Sequence, residues 1–323
     1  MNVSTTVAEM EAARDTMAGI VGLVPTMGYL HEGHLSLVRR ARADCDHVIA
    51  SIFVNPTQFG ANEDLERYPR DADRDLRLLE AELVDAVFMP PVDEIYPPGF
   101  HDWVEVGGPL TERLEGAARP GHFRGVTTVV ARLFRIIRPH KAYFGQKDAQ
   151  QLRAIRRMVR DLALEVEIVA MPTVRDPDGV AMSSRNAYLS PNEREAALAI
   201  PRALEIARRM VMEDGLRDAD VIRQAVRIFV ETPQNDPSPK RDVSLHRGIS
   251  VQQGGSSRRG VSSPRVDLEY VSISDEDTFE ELDTIDRPAL VLLAARVGET
   301  RLIDNVVVVP KGARVPGRPR SIV

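Results

Sequence analysis

Cysteine is nearly absent from this chain: Cys45 is the one residue of its kind in 323. A single thiol excludes an internal disulfide framework and suits a reducing, cytoplasmic compartment. At the end of a predicted helix it reads as a small apolar residue, not a nucleophile. Long apolar runs are missing too, and none approaches the roughly 18 residues that a membrane helix needs. Met1 to Met17 carry Glu9, Glu11 and Asp15 and lack the apolar centre of a secretory leader, so no signal peptide is expected.

What is present is ordinary for a globular protein: 43% hydrophobic and 28% charged residues, at a length that suits two domains. The net charge of -6 is unevenly spread. Residues 232–265 carry six Lys/Arg against two Asp, and residues 310–323 carry four Lys/Arg and no acid. The rest of the chain is therefore strongly acidic, which argues against general nucleic-acid binding.

From Ile20 to Met171 short β-rich runs alternate with helical periods. Candidate strands are Ile20–Val24, Val48–Val54, Asp85–Met89, Lys141–Phe144 and Val166–Met171. The clearest helix repeats Val126, Val129, Val130, Leu133, Phe134 and Ile137, and Leu76, Leu79 and Leu83 suggest another over 71–83. Such alternation implies a doubly wound parallel sheet, with ligands beyond the carboxyl ends of its strands. After Pro172 the pattern changes. Ser190-Pro191-Asn192-Glu193 is a capping box that predicts a helix to about Met212, followed by another over 218–230. Residues 232–265 lack periodicity and are expected to form a disordered insertion. Alternating residues from Val266, then Ala289–Val297 and Arg301–Val309, suggest a small sheet, and a basic tail follows from Pro310. The division expected is 1–173 and 174–323.

The residues with chemistry fall just after the predicted strands. Pro25-Thr26-Met27-Gly28-Tyr29-Leu30-His31-Glu32-Gly33-His34 places a glycine turn between a strand and a helix start, where free N–H groups and the helix dipole favour an anion. Its His-x-Gly-His order is the nucleotide signature of the class I synthetase and adenylyltransferase superfamily. Asn55-Pro56-Thr57-Gln58-Phe59 offers neutral amides for hydroxyl or carboxylate groups. Phe144-Gly145-Gln146-Lys147-Asp148-Ala149-Gln150-Gln151 adds a mobile cation and an acceptor for a ribose hydroxyl. Met182-Ser183-Ser184-Arg185-Asn186 adds two hydroxyls and a guanidinium suited to phosphate oxygens. Arg119 and His122 form either a lid or plain loop structure, and Asp73 and Asp75 read as first-turn acids rather than magnesium ligands. No metal ligand is identified.

Together with Ser51–Phe59, Tyr68-Pro69-Arg70, Arg119–Gly125 and Arg301-Leu302-Ile303-Asp304-Asn305, these segments resemble the pantoate–β-alanine ligase (pantothenate synthetase) family. The resemblance covers most of residues 20–230 and resumes near 266. It implies a Rossmann-like α/β sheet of the HxGH nucleotidyltransferase superfamily with a smaller α+β C-terminal domain. It also implies an AMP-forming ligase using ATP with Mg2+, pantoate and β-alanine, in a cytoplasmic homodimer.

By the same resemblance Met27 through His34, Gly145, Gln146, Lys147, Asp148, Val174 and Met182 through Arg185 bind ATP. His34 is the proton donor, His31 lies near the phosphates, and Lys147 stabilises charge at the α-phosphate. Ser183, Ser184 and Arg185 stand where the superfamily has its second motif. Gln58, Gln151 and Asn55 bind the substrates. Gln146 departs from the glutamate usual there, and 232–265 has no family counterpart. Another adenylyltransferase of the superfamily, or a non-catalytic nucleotide-binding homologue, are the alternatives. The first calls for extra cations at the acceptor site, and the second leaves the charged set without a purpose.

Overall fold

The computed structural model describes residues 1–61, 63–232 and 265–312. Most of the insertion expected at 232–265, and the tail beyond Gly312, lie outside the described residues.

Six parallel strands form the larger sheet: β1 (Asn2–Ser4), β2 (Val21–Thr26), β3 (His47–Ile52), β4 (Ala86–Phe88), β5 (Lys141–Gly145) and β6 (Glu167–Met171), in the order β1-β4-β3-β2-β5-β6. The crossovers include α1 (Val7–Asp15), α2 (Glu32–Asp44), α3 (Ala72–Ala81), α4 (His122–Ile137) and α5 (Ala149–Asp161). Adjacent strand residues point to opposite faces, so Leu23 enters one core with Phe88, Leu133 and Ile155, and Val24 another with Val38, Leu79 and Tyr143. Both faces are covered, which is why these strands read as unbroken apolar runs. The chain leaves β2 toward β3 on one side and returns to β5 on the other. The loops after β2 and β5 therefore diverge and leave a crevice at their carboxyl ends.

The second body carries α6 (Pro191–Ala197), α7 (Ala199–Met212) and α8 (Ala219–Glu231) on an antiparallel sheet of β7 (Val266–Asp275), β8 (Ala289–Val297) and β9 (Thr300–Val308). Its core includes Ala203, Leu204, Val226, Val291 and Leu293. A smaller cluster of Ala149, Phe279, Leu290 and Leu292 joins this sheet to the start of α5. Beside it, Arg301 grips buried Glu115 with both terminal nitrogens at 2.7 Å, and Tyr270 donates to the same carboxylate at 2.8 Å.

Three elements differ from expectation. The helix expected from Ser190 to Met212 breaks at Leu198, because Pro201, three residues into α7, has no N–H with which to continue the ladder of α6. Leu83 does not join the buried face of Leu79: α3 ends at Ala81, and Leu83 is 72% exposed with φ +58°. Strand β1, at the sheet edge, escaped notice because three residues carry no periodic signal.

Candidate active site

A cleft of about 240 Å3 opens at the carboxyl ends of β2 and β5, and the second body closes one side of it. Its wall brings together Met27, His31, Gly33, His34, Asn55, Gln58, Gly145, Lys147, Asp148, Gln151, Val174 and Met182 through Arg185. Gly28, Tyr29, Leu30, Glu32 and Gln146 do not line it. Leu30 is buried in the core, and Glu32 turns outward to pair with Arg39. Tyr29 contributes only its carbonyl, which accepts from Ser184 Oγ at 3.2 Å and so ties the second body to the turn.

The turn after β2 is held from behind. Gly28 has φ +81° and Tyr29 φ +50°, a left-handed pair that redirects the chain into α2. Asp75, buried in α3, accepts the backbone N–H groups of Tyr29 and Leu30 at 2.6 and 2.8 Å. Asp75 is thus a brace for the turn, where a dipole-complementing acid was expected; burial pushes its carboxyl above the usual range despite these two bonds.

His31 is the N-cap of α2, and its ring stacks on that of His34 with centroids 4.0 Å apart. Burial, then the nearby charge of Lys147, lowers His31 to about 4. Burial, then His31, holds His34 well below the ordinary histidine range. Both rings are therefore neutral at pH 7. His34 Nδ1 faces the amide N–H of His31 at 3.4 Å, which leaves Nε2 as the protonated nitrogen. The buried Nδ1 of His31 has no hydrogen-bond partner among the described residues.

Gln58 sits in a single turn (Pro56–Gln58) after β3. Its Nε2 donates to Met27 Sδ at 3.0 Å, and its Oε1 accepts from Asn55 Nδ2 at 3.1 Å. Asn55 is buried and fully occupied: it also donates to Gly125 O and accepts from Thr57 and Tyr96 hydroxyls at 2.9 Å each. Asn55 thus supports Gln58 from within the cleft wall. His122 donates from Nδ1 to Gln58 O at 2.8 Å and accepts at Nε2 from Arg119, 3.1 Å away. Burial and the Arg119 charge lower His122 to about 4, consistent with that neutral tautomer. Arg119 and His122 therefore brace the Gln58 turn.

Glu63 and Asp64 were missed by sequence reasoning. Glu63 takes Arg119 at 2.6 and 2.8 Å, and Asp64 takes Arg185 at 2.8 and 2.9 Å. Burial raises both carboxyls, but the bonds and charges of the arginines win and hold them below the usual range. No local signal could have found Asp64, whose partner is 121 residues away. Arg185 also lies over the rings of Phe59 and Tyr68. Lys147, in contrast, has no ion-pair partner among the described residues. Ser183 caps its own turn by accepting from Arg185 N. An apolar strip of Phe53, Val126, Val129, Val130 and Leu133 completes the wall. Among the described residues, no group of three or more His, Cys, Asp or Glu side chains is arranged to hold a metal.

A family profile described as Pantoate-beta-alanine ligase matches residues 2–307. The chain belongs to the pantoate–β-alanine ligase family. A pantothenate synthetase of Roseiflexus sp. (strain RS-1) is 54% identical over 307 residues, covering 95% of this chain and 99% of the relative. One from Thermotoga neapolitana is 50% identical over 310 residues, with 95% and 99% covered. The crystal structure of pantothenate synthetase from Thermus thermophilus superposes with a TM-score of 0.82 at 46% identity, covering 96% of this chain and 100% of that one. The pantoate–β-alanine ligase of Francisella tularensis, complexed with β-γ ATP and β-alanine, gives 0.72 at 30% identity, with 95% and 97% covered. Family membership agrees with the α/β sheet, the small antiparallel sheet and the HxGH turn expected from the sequence.

Proposed function

We propose that this chain joins pantoate to β-alanine at the cost of ATP, through a pantoyl adenylate. The pantoate carboxylate attacks the α-phosphorus, the bond to pyrophosphate breaks, and a mixed anhydride forms. The β-alanine amine then attacks the acyl carbon, the bond to AMP breaks, and the amide forms with loss of a proton. The observation that carries this reading is the convergence of the His31–His34 turn, the Lys147 turn and the Met182–Arg185 segment on one cleft that also exposes Gln58 and Gln151.

Division of labour follows from charge. Lys147, without an ion-pair partner among the described residues, stabilises negative charge as pentacovalent phosphorus develops. His34 donates from Nε2 as a neutral ring and not as an imidazolium, and His31 supports it. Ser183, Ser184 and Arg185 reach the phosphates from the second body, with Met27, Gly33, Gly145, Asp148, Val174 and Met182 around the nucleoside. Gln58 and Gln151 read pantoate's hydroxyl and carboxylate groups without adding charge, and the Val126–Leu133 strip suits its dimethyl carbon. Mg2+ enters with ATP as part of the substrate, ligated chiefly by phosphate oxygens and water. A cytoplasmic homodimer, divided into bodies at 173/174, belongs to the same reading. No helix of the described residues is long and apolar enough to cross a membrane.

The test is pyrophosphate exchange into ATP with and without pantoate, then AMP release on adding β-alanine. Exchange should require pantoate, and Lys147→Ala or His34→Ala should lower it about a hundredfold or more with the fold intact. Exchange without pantoate, or none in the unaltered protein, refutes the reading and favours another nucleotidyl transfer or a binding role.

A further inference from the structure

The segment Arg301-Leu302-Ile303-Asp304-Asn305 lies on β9, and the reaction scheme above gives none of these residues a part. Strand alternation sends neighbouring side chains to opposite faces. Asp304 and Asn305, both buried, use that alternation to hold two different segments of the cleft. Asp304 takes the two terminal nitrogens of Arg175 at 2.6 and 3.0 Å. Arg175 is bridged to Ala181, immediately before Met182–Arg185. On the other side, Asn305 Nδ2 donates to Gln146 O at 3.1 Å and to Lys147 O at 2.7 Å. Asn305 N–H donates to Asp304 Oδ1 at 2.8 Å, so the two grips are themselves joined.

We infer that Asn305 is a positioning residue for Lys147, its amide fixing the turn from which that lysine rises at a set distance from the hairpin held by Asp304. The inference rests on the phosphate role proposed for Lys147. Nδ2 has two protons, one for each carbonyl, so both peptide planes of the turn are oriented by one side chain. The turn is a single 3-10 turn (Gln146–Asp148) with no side-chain cap on its N-terminus. With no carboxylate partner among the described residues, the flexible lysine stem depends on its backbone for aim. A displacement of about 1 Å at a reacting centre costs on the order of a hundredfold in rate.

The experiment is pantoate-dependent pyrophosphate exchange in the full chain, alongside thermal melting. Asn305→Ala, isosteric Asn305→Asp and Asn305→Ser, which keeps one donor, are each made with Lys147 intact and in a Lys147→Ala background. We expect Ala and Asp to lower kcat for exchange about ten- to a hundredfold, with Ser between them and the unaltered protein. The KM for pantoate should stay within about twofold, and at least one variant should melt within a few degrees of the unaltered protein. In the Lys147→Ala background the Asn305 effect should shrink below about threefold, because the group it aims has gone. An undiminished loss in that background, unaltered exchange in Asn305→Asp, or a collapse of melting temperature in all three variants would overturn the inference. Full exchange in Lys147→Ala alone would sink the reading of Lys147, and the inference with it, by a distinct signature.

Discussion

His31, His34 and His122 are three imidazoles that the fold keeps uncharged at pH 7, and each depends first on burial for that. Their depressed values have a signed consequence for stability. In the unfolded chain each titrates near 6.5, but in the folded chain His31 and His122 accept a proton only near 4. Between those values the unfolded state binds more protons, so stability is complete above 6.5 and is lost as pH falls toward 4. Urea unfolding at pH 7 and pH 5 should differ by about 1 to 2 kcal/mol for each such histidine. His122→Gln should flatten that dependence, and an unchanged slope would contradict the buried neutral assignment. This residue-scale logic was only partly legible in the sequence. The motif announced His31 and His34 as ligands, but their charge state depends on neighbours that only the fold supplies. Asn55 shows the same limit: its residue type suits a substrate hydroxyl, yet four protein partners already occupy it.

Among elements, α4 packs tightly against the Gln58 turn. Gly125 faces the Pro56–Gln58 turn, and a Cβ there would lie 2.4 Å from Thr57 O and 2.7 Å from Gln58 N, both backbone atoms. Gly125→Ala should therefore push the turn away, destabilise the protein by about 1–3 kcal/mol and raise the KM for pantoate more than that for ATP. Equal changes in both KM values would show that the turn does not serve the acceptor. Elements with a strong period were readable without coordinates: α4 by its apolar repeat, and β2, β3 and β5 by runs that both cores bury. The edge strand β1 was too short to read. The break at Leu198 was hidden because the capping box at Ser190 marks a start but says nothing of Pro201 downstream.

At the scale of the whole molecule, Glu115 and Arg301 link the two bodies through a bidentate pair with little exposure on either side. Burial raises the Glu115 carboxyl, but Arg301 and Tyr270 outweigh it and hold the group below the usual range. Arg301 keeps Glu269 on its Nε at 2.8 Å when Glu115 is removed, so Glu115→Ala should cost less than a stranded buried charge would, about 1–3 kcal/mol in urea unfolding. Glu115→Ala combined with Arg301→Met should recover part of that loss. A double variant as unstable as the sum of the singles would mean the pair is not coupled.

Arg185 enters this architecture already paired along one edge, with Asp64 on its Nε and Nη2 and Tyr188 at 3.3 Å on the same carboxylate. Asp64 holds the Nε–Nη2 edge, so a phosphate that takes that same bidentate edge displaces the carboxylate. In the proposed reaction that edge would work as an ion exchanger: a phosphate arrives and the carboxylate gives way. The displaced anion belongs to the chain itself, on Asp64. Nucleotide arrival at that edge and release of the Asp64 carboxylate would then be a single event.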